Sequence, residues 1–299
     1  MAKEKLEFVE VSPRDGLQNE PEIVSTENKL DLIRRIVGAG FARLEAGSFV
    51  NPKKVPQMAD GDAVFAGLPN SGATFIALAL NPRGVERALA AGAKEINYVF
   101  CASDGFSIRN NGGAVEETFT VWPHVAELAK QGGARLSATI STAFGCPFDG
   151  EVAVSRVVGV AEKCVAQDIF ELALADTIGV GAPSDVRERF RAVKAAIPHH
   201  IQLRAHFHNT RNTALANAVA AVEEGVRVLD GSLAGIGGCP FAPGAAGNVP
   251  TEDLLYMFAR MGFDTGVDLD AAIETAHFIG GVLGRKTPGM VSRAPKWPQ

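Results

Sequence analysis

The feature that most constrains this chain is a unit that repeats about eight times: a short apolar or β-branched run followed by a longer segment with helical spacing. The predicted strands lie at residues 6–11, 41–46, 74–80, 95–101, 135–143, 169–175, 201–207 and 226–232. Several of these runs are apolar on both faces, as strands covered by helices on each side are. Eight such units in about 265 residues predict a closed parallel (β/α)8 TIM barrel, with a doubly wound open sheet as the alternative.

The segments between the predicted strands have the spacing of amphipathic helices. The predicted helices lie at residues 26–38, 82–91, 115–131, 151–166, 183–196, 212–224 and 251–261. Ser25 or Thr26 is the expected N-cap of the first helix, because both side chains can accept a hydrogen bond from a free helical N–H. Glycines follow several helices, where a left-handed residue is least costly.

The chain shows no Pro-, Ser- or charge-rich linker, so we expect a single domain over residues 1–299. The barrel is expected at about residues 6–263. The remainder, residues 264–299, is expected to form a ninth helix at 268–284, packed against the barrel or a neighbouring subunit, and then a loosely ordered tail.

Composition excludes several classes of function. The chain has 46% hydrophobic and 21% charged residues and a formal net charge of −5, which argues against disorder and against general binding of polyanions such as nucleic acids. No apolar stretch approaches the roughly 18 residues of a membrane span, and the N-terminus lacks the apolar centre of a signal peptide. We therefore expect a cytoplasmic protein with no nucleic-acid or membrane partner.

Four cysteines are too few and too widely spaced for a disulfide framework or a zinc site built on closely paired cysteines. Cys101, Cys146 and Cys164 are expected to be packing residues. Cys239 differs, because it lies in the glycine- and proline-rich segment 232–248, where no apolar periodicity explains it. That segment is either a flexible connector or a lid that carries a thiol over bound substrate.

A barrel of this type places its chemistry at the carboxyl ends of the strands and in the loops that follow, and every polar candidate is predicted to lie at that end. His206 and His208 are two residues apart on an extended segment, so both side chains point to one face and can converge on one ion. Asp15 and Asn248 could complete the site. Two imidazoles with oxygen ligands suit Mg2+ or Mn2+, with Zn2+ as an alternative. The competing interpretation is a pair of hydrogen-bonded histidines with no metal.

Three more charged residues are candidates for chemistry. Arg14 follows strand 1 and could stabilise an enolate or carboxylate oxygen, although a surface ion pair with Asp15 is the simpler interpretation. Glu45, expected at the end of strand 2, and Asp176, after strand 6, could orient Arg14 or a histidine. Either could instead be a carboxylate at a helix N-terminus. The chain has no phosphate-binding P-loop and no dinucleotide-binding glycine fingerprint.

The motifs of this chain resemble, in order, those of the 3-hydroxy-3-methylglutaryl-CoA lyase family. They are VSPRDGLQNE, FARLEAGSFV followed by PKKVPQMAD, LADTIGVG, HFHNT and SLAGIGGCPFAPGAAGNVPTEDL. The likeness spans about residues 9–286, and the segment around Cys239 is the most specific part. The Arg-Asp pair and the His-x-His are shared with the wider group of metal-dependent carbon–carbon lyases and synthases on this barrel.

The resemblance implies a divalent-cation-dependent cleavage of a 3-hydroxy-3-methylglutaryl-CoA-like thioester into acetyl-CoA and acetoacetate, as in leucine degradation. It implies Asp15, His206, His208 and Asn248 as metal ligands and a homodimer as the assembly. The implied catalytic residues include Arg14, which would stabilise the enolate, and Cys239, which would donate a proton to the acetyl-CoA carbanion. Glu45 and Asp176 are implied as supporting carboxylates. Asp176 is also a candidate base for the C3 hydroxyl, and His206 could shuttle the proton of that hydroxyl.

Four positions depart from the usual family pattern: Pro21, Ala46, Gly47 and Arg211. They leave the matched site residues intact but bring the acyl substrate into question, so another 3-substituted 3-hydroxyacyl-CoA is a second expectation. Two other functions are alternatives: a synthase that condenses a 2-oxo acid with acetyl-CoA, and a non-catalytic relative. The first is disfavoured by the segment around Cys239, and the second by the complete set of matched residues.

Overall fold

The computed structural model describes residues 3–238 and 247–296 and shows a closed barrel of eight parallel strands in the order of the sequence. The strands are β1 Glu7–Glu10, β2 Arg43–Ser48, β3 Thr74–Ala79, β4 Glu95–Cys101, β5 Arg135–Ser141, β6 Glu171–Asp176, β7 Gln202–Phe207 and β8 Val228–Gly231. The barrel closes through β1, which pairs with both β2 and β8. The predicted (β/α)8 fold is therefore confirmed, and the open sheet is excluded.

Helices cover the outside of the barrel. They are α1 Thr26–Gly38, α2 Gly61–Ala66, α3 Pro82–Ala90, α4 Asp104–Asn110, α5 Val115–Thr118, α6 Trp122–Gln131, α7 Val154–Cys164, α8 Pro183–Ala196, α9 Ala214–Glu223, α10 Thr251–Arg260 and α11 Leu269–Val282. Sequence periodicity missed the short helices α2 and α4, and it merged α5 and α6, which a 3-10 turn separates. The Ser25 hydroxyl accepts the Asn28 N–H, so Ser25 is the N-cap of α1.

The apolar core lies mainly between the barrel and its helices. A cluster of aromatic rings shows the packing on one side, where Phe100 stacks on Phe119 at 4.1 Å between ring centroids and meets Trp122 edge-on at 5.0 Å. The Trp122 indole donates to the Cys164 carbonyl, so its only polar atom is satisfied. Cys101, Cys146 and Cys164 are buried free thiols, as expected for packing residues.

The interior of the barrel is more polar than the sequence predicted. Several strands carry alternating polar residues that point inward, and their side chains form ion pairs and hydrogen bonds across the barrel. The main contributors are Arg43 and Glu45, Glu95 and Asn97, Glu171, Arg204 and Asp230. Several strands were predicted to be apolar on both faces; the strands that carry these residues are instead polar on the face that points into the barrel. Inward charges are tolerated here because each is paired with an opposite charge.

The last helix, α11, packs against α1 on the outside of the barrel. Asp268 caps α11 by accepting the N–H groups of Asp270 and Ala271, and its own N–H donates to the Ala39 carbonyl at the end of α1. The Arg35 guanidinium lies 4.3 Å above the Phe278 ring, which joins α1 to α11. The C-terminal helix thus packs against the barrel of its own chain. Among the described residues, the helices are too short or too polar to span a lipid bilayer.

Candidate active site

Arg14 and Asp15 lie on a single π-helical turn, Ser12–Gly16, that follows β1. Glu10 holds the start of this turn, because its Oε1 accepts the Ser12 N–H at 2.9 Å. Gly16 ends the turn where a Cβ would lie 2.7 Å from the Ser232 hydroxyl, so any other residue would force a neighbouring side chain to move. The local sequence therefore fixes two oppositely charged side chains, both buried, at the carboxyl end of the barrel.

Asp15 lies beside two histidines: His206 is in β7, and His208 is the first residue after this strand. The Asp15 Oδ2 atom lies 3.9 Å from His206 Nε2 and 3.5 Å from His208 Nε2, and the ligand atoms of the three residues all lie within 4.8 Å of one another. All three side chains are buried. Burial opposes ionisation of the carboxyl, but Arg14 and the two imidazoles outweigh it and hold the pKa of Asp15 well below its usual range. The predicted convergence of these residues is present.

The charge of the surrounding network fits a divalent cation at this group. Among the described residues, the ion pairs that run through the barrel link five carboxylates to three guanidiniums; with both histidines neutral, as metal ligands are, two negative charges are in excess. The carboxylates are Asp15, Glu45, Glu95, Glu171 and Asp230, and the guanidiniums are Arg14, Arg43 and Arg204. Glu7 and Arg135, at the outer ends of the network, balance each other. The buried Asp15–His206–His208 group can therefore hold a metal ion and neutralise this excess.

Asn248 lies beside the same carboxylate. Its Nδ2 donates to Asp15 Oδ2 at 2.8 Å and to the Ile236 carbonyl at 3.3 Å, and its backbone bridges to His208. The amide nitrogen therefore faces Asp15, so a metal bound by Asn248 requires the carbonyl half of this amide to turn toward the ion. The sequence correctly placed Asn248 beside the other three residues, although they are far apart along the chain.

Arg14 is held by two carboxylates and faces the cavity. Its Nε donates to Glu45 Oε2 at 2.6 Å, its Nη1 donates to Asp15 Oδ1 at 2.5 Å, and its Nη2 contacts the same Glu45 oxygen. Each terminal nitrogen keeps one further N–H for an oxyanion. The sequence prediction placed Glu45 at the end of a strand, which is wrong: Glu45 lies inside β2 and points into the barrel.

Asp176 is the last residue of β6 and lies behind the wall of the cavity. Its Oδ1 and Oδ2 accept the N–H groups of Val180 at 3.0 Å and Gly181 at 2.9 Å. Burial raises the pKa of Asp176. The carboxylate thus organises the loop before α8, whose first residue is Pro183, rather than binding the N–H groups of the helix itself, and each oxygen retains a second lone pair.

A cavity of about 550 Å3 opens at this end of the barrel. Its wall carries the polar residues Arg14, Asp15, Glu45, His206 and His208 and also the apolar residues Val50, Leu78, Leu80, Val99 and Phe106. Gly238 also lines the cavity, and its carbonyl accepts the Asn19 side-chain N–H. Cys239, the predicted proton donor, lies outside the described residues.

Two functional candidates escaped the sequence analysis: Arg204 and Asp230. Asp230 Oδ2 lies 2.9 Å from His206 Nδ1, and Arg204 makes a two-point ion pair with the same carboxylate. The sequence signal for Arg204 was the alternation of polar side chains over positions 204–208. Arg204 precedes His206 by two residues, just as His206 precedes His208. The spacing of two that marks the histidine pair therefore also marks Arg204 as a residue on the same face of β7.

None of the four departures from the family pattern is among the described residues that line the cavity. Pro21 is exposed, and Ala46 is buried in the core outside the barrel. A Cβ on Gly47 would meet the Phe65 ring at 3.5 Å, and Arg211 donates to the Ile178 and Gly179 carbonyls. These positions therefore give no direct physical reason for an altered acyl pocket.

Comparisons with known proteins agree with this architecture. The HMGL-like family model matches residues 5–279. The (R)-citramalyl-CoA lyase of Chloroflexus aurantiacus is 41% identical over 99% of this chain and 97% of its own length. The 3-hydroxy-3-isohexenylglutaryl-CoA/hydroxymethylglutaryl-CoA lyase of Pseudomonas aeruginosa is 41% identical over 97% of each chain. A solved HMG-CoA lyase from Acinetobacter baumannii, in complex with coenzyme A and 3-methylmalate, is 40% identical and superposes with a TM-score of 0.93, covering 97% of this chain and 95% of that one.

The fold and the site define a (β/α)8 protein with a buried carboxylate–imidazole group suited to a cation and an arginine beside it, at the mouth of one cavity. The chain belongs to the HMGL-like family. Because the relatives named above are all acyl-CoA lyases, the protein is a carbon–carbon lyase.

Proposed function

We propose that this protein cleaves 3-hydroxy-3-methylglutaryl-CoA to acetyl-CoA and acetoacetate, with a divalent cation, Mg2+ or Mn2+, held by Asp15, His206, His208 and Asn248. The observation that carries the proposal is the convergence of Asp15, His206 and His208 in one buried group beside Arg14. Support comes from relatives of 41% identity over almost the whole chain that are named for this substrate or a related one.

The reaction breaks the C2–C3 bond of a thioester that carries a tertiary alcohol at C3. The hydroxyl proton must leave, the electron pair of the broken bond passes to C2 and the thioester oxygen, and the resulting enolate must be protonated. A divalent cation, when bound, lowers the pKa of an alcohol that coordinates it. The protein has to supply a base, a stabilising positive charge and an acid.

Arg14 supplies the positive charge. Glu45 and Asp15 fix its guanidinium from two sides, so the remaining N–H donors are oriented before the substrate arrives. A preorganised donor in a site closed to water is worth about 2.7–4 kcal/mol toward an oxyanion in other enzymes. Glu45 is fully buried among Arg14, Asn97 and Arg204, so its role is to orient Arg14 rather than to exchange protons with substrate.

The resemblance implies Asp176 as the base for the C3 hydroxyl; because its carboxylate lies behind the cavity wall, we propose that the proton reaches it by way of an imidazole of the metal-binding group. Both histidines lie close enough to Asp176 to favour its charged form, and burial nevertheless raises its pKa, which strengthens it as a base. Asp230 binds Nδ1 of His206 and leaves Nε2 facing the cavity, available to a metal ion or, as the resemblance implies, to the same proton. Cys239 is proposed from the sequence as the acid that protonates C2, because a thiol is a far better acid than a hydroxyl at neutral pH.

A second substrate is favoured by a specific observation. The citramalyl-CoA lyase is as similar to this chain as the hydroxymethylglutaryl-CoA lyase is, and it covers the chain as fully. Both reactions release acetyl-CoA from a thioester with a tertiary alcohol, so the residues described here would serve either. Only the part of the site that binds the other product would differ.

Product analysis separates these possibilities. The purified protein is incubated with 3-hydroxy-3-methylglutaryl-CoA or with citramalyl-CoA, before and after treatment with EDTA. We expect acetyl-CoA and acetoacetate from the first substrate, loss of activity after chelation and recovery with Mg2+ or Mn2+. Release of pyruvate from citramalyl-CoA at a higher kcat/KM would assign the second substrate. Full activity after exhaustive chelation, or no cleavage of either thioester, would refute the metal-dependent mechanism.

We further propose that the protein acts in the cytoplasm, in leucine degradation, as a homodimer. The family resemblance supports these assignments, and one relative that is 44% identical over 97% of this chain is named a cytoplasmic lyase. Light scattering after size-exclusion chromatography tests the dimer, and a mass equal to one chain of 31.4 kDa would contradict it.

A further inference from the structure

Arg204 lies at the floor of the cavity and joins two parts of the site. Its Nε donates to Asp230 Oδ1 at 2.5 Å, and its Nη2 donates to Asp230 Oδ2 at 2.8 Å and to Glu45 Oε1 at 3.3 Å. Its Nη1 donates to Glu171 Oε1 at 3.3 Å. The guanidinium is only 1% exposed, so these contacts are not screened by bulk water.

The contact with Asp230 leads to the metal-binding group. Asp230 Oδ2 lies 2.9 Å from His206 Nδ1, which fixes the plane of the imidazole and leaves Nε2 facing Asp15. Burial opposes ionisation of Asp230, but the charge of Arg204 outweighs it and lowers the pKa of this carboxyl. A carboxylate behind a ligating histidine fixes both its tautomer and its orientation.

The contact with Glu45 leads to the enolate-stabilising group. Glu45 Oε1 accepts from Arg204 and Asn97, and Oε2 of the same carboxylate accepts from Arg14 Nε at 2.6 Å. Rotation of the Glu45 carboxylate would therefore move the Arg14 guanidinium. A single rigid guanidinium thus braces the carboxylates behind His206 and behind Arg14.

We infer that Arg204 is a positioning residue that sets the orientation of both His206 and Arg14. This inference rests on the proposed function, since it assigns Arg204 a part in metal binding and in enolate stabilisation. The planar guanidinium matters as much as its charge, because it reaches two carboxylates at once in a fixed geometry. A lysine at this position keeps the charge but cannot make the two-point contact with Asp230 while also reaching Glu45.

The barrel contains a matched control. Arg43 is also buried, at 6% exposed, and its guanidinium also contacts two fully buried carboxylates, Glu95 and Glu171. It shares Glu171 with Arg204, and none of its hydrogen bonds to the described residues goes to Glu45 or Asp230. Arg43→Lys therefore imposes a similar structural change without touching the residues behind His206 and Arg14.

The experiment compares Arg204→Lys, Asp230→Asn and Arg43→Lys with the wild type. Mn2+ affinity is measured by calorimetry on protein stripped of metal, and kcat and KM for 3-hydroxy-3-methylglutaryl-CoA are measured at saturating Mn2+. We expect Arg204→Lys to weaken Mn2+ binding by about 10- to 100-fold, the range typical of residues that support metal ligands. Its kcat should fall at least about tenfold at saturating Mn2+, with KM changed less than about threefold.

Asp230→Asn and Arg43→Lys distinguish the effect of Arg204 on His206 from its effect on Arg14. Asp230→Asn should weaken Mn2+ binding to a similar extent but lose less kcat at saturating Mn2+, because Arg204 still holds Glu45. Arg43→Lys should keep wild-type Mn2+ affinity and kcat even if its melting temperature falls as far as that of Arg204→Lys.

Two results would overturn the inference: Mn2+ affinity and kcat of Arg204→Lys equal to those of Arg43→Lys, or a rise in KM alone, which would make Arg204 a substrate contact. If Arg204→Lys does not fold, wild-type Mn2+ affinity in Asp230→Asn overturns it, and a 10- to 100-fold loss supports it. A wild type that binds Mn2+ but cleaves no thioester defeats the proposed function, while the Mn2+ titrations still decide whether Arg204 positions His206. A wild type that does not bind Mn2+ defeats both.

Discussion

Glu10 offers a test of how the barrel holds the segment that carries Arg14 and Asp15. Its carboxyl is fully buried, and three donors converge on it: the N–H groups of Ser12 and Leu233 on Oε1, and the Thr251 hydroxyl on Oε2. It therefore ties the exit of β1 to the exit of β8 and to the start of α10. Burial raises the pKa of Glu10 from 4.5 to about 7, despite these hydrogen bonds.

The perturbation is Glu10→Gln, which has nearly the same shape. The amide oxygen can accept both backbone N–H groups, and the amide nitrogen can donate to the Thr251 hydroxyl, which reverses the bond in which that hydroxyl donates to Glu10. The variant therefore resembles the protonated carboxyl and cannot ionise. A destabilised protein at every pH is expected instead for Glu10→Ala, which leaves two amides and a hydroxyl without an acceptor.

The sign and size of the effect follow from the two pKa values. The unfolded chain releases the Glu10 proton near pH 4.5 and the folded chain near pH 7, so the folded state binds more protons in this window. The free energy of unfolding therefore falls as pH rises through the window. A shift of about 2.5 units corresponds to about 3 kcal/mol, most of it lost between pH 5 and pH 8.

The assay is urea unfolding followed by circular dichroism, on metal-free wild type and Glu10→Gln, at pH 5 and pH 8 and constant ionic strength. The difference between the two proteins cancels the contributions of the other titrating groups. We expect similar stability at pH 5 and a variant more stable by about 2–3 kcal/mol at pH 8. Equal differences at both pH values would show that the buried carboxyl is ionised throughout, and the reasoning would fail.

Three further predictions concern the chemistry. Arg14→Lys should lower kcat by about 10²- to 10³-fold, because an ammonium cannot hold Glu45 and Asp15 and also present two donors to the substrate. Circular dichroism should show an unchanged fold. A fall in kcat of less than about tenfold would exclude Arg14 as the main oxyanion donor. Asp176→Asn should lower kcat by about 10²-fold or more if Asp176 is the base, whereas an altered KM alone would indicate that it only shapes the loop before α8. Cys239→Ser should leave Mn2+ affinity unchanged while turnover falls strongly, and near-normal turnover would remove its proposed role as the acid.

The repeated strand–helix pattern was sufficient to predict the barrel and the end at which the site lies. All eight strands were expected within about two residues of their observed ends, because buried β-branched runs bounded by glycine leave few alternatives. The short helices α2 and α4 escaped, since six or seven residues are too few to show a helical period. The histidine pair was predictable for a related reason: a spacing of two on an extended segment places both side chains on one face.

The network behind those side chains could not be predicted with the same certainty. Arg204, Asp230 and Glu45 come from three strands that are distant along the chain, and they meet only because the closed barrel points them at its axis. Several strands were predicted to be apolar on both faces, as in many parallel sheets, but the interior of this barrel is lined by charged residues from other strands. Whether a polar residue on a strand faces inward depends on strand tilt and register, which the strand's own sequence does not specify.

The amino-acid sequence alone determined the fold class, the family resemblance and the residue types available for catalysis, because these depend on local periodicity and on short motifs. Tertiary structure decided which charges pair, which nitrogen of His206 faces the metal-binding group, and that Asp176 lies behind the cavity wall rather than in it. The physical reason is that ion pairs and hydrogen bonds depend on distances of a few ångströms between residues that are far apart in the chain. Those distances exist only once the barrel has closed.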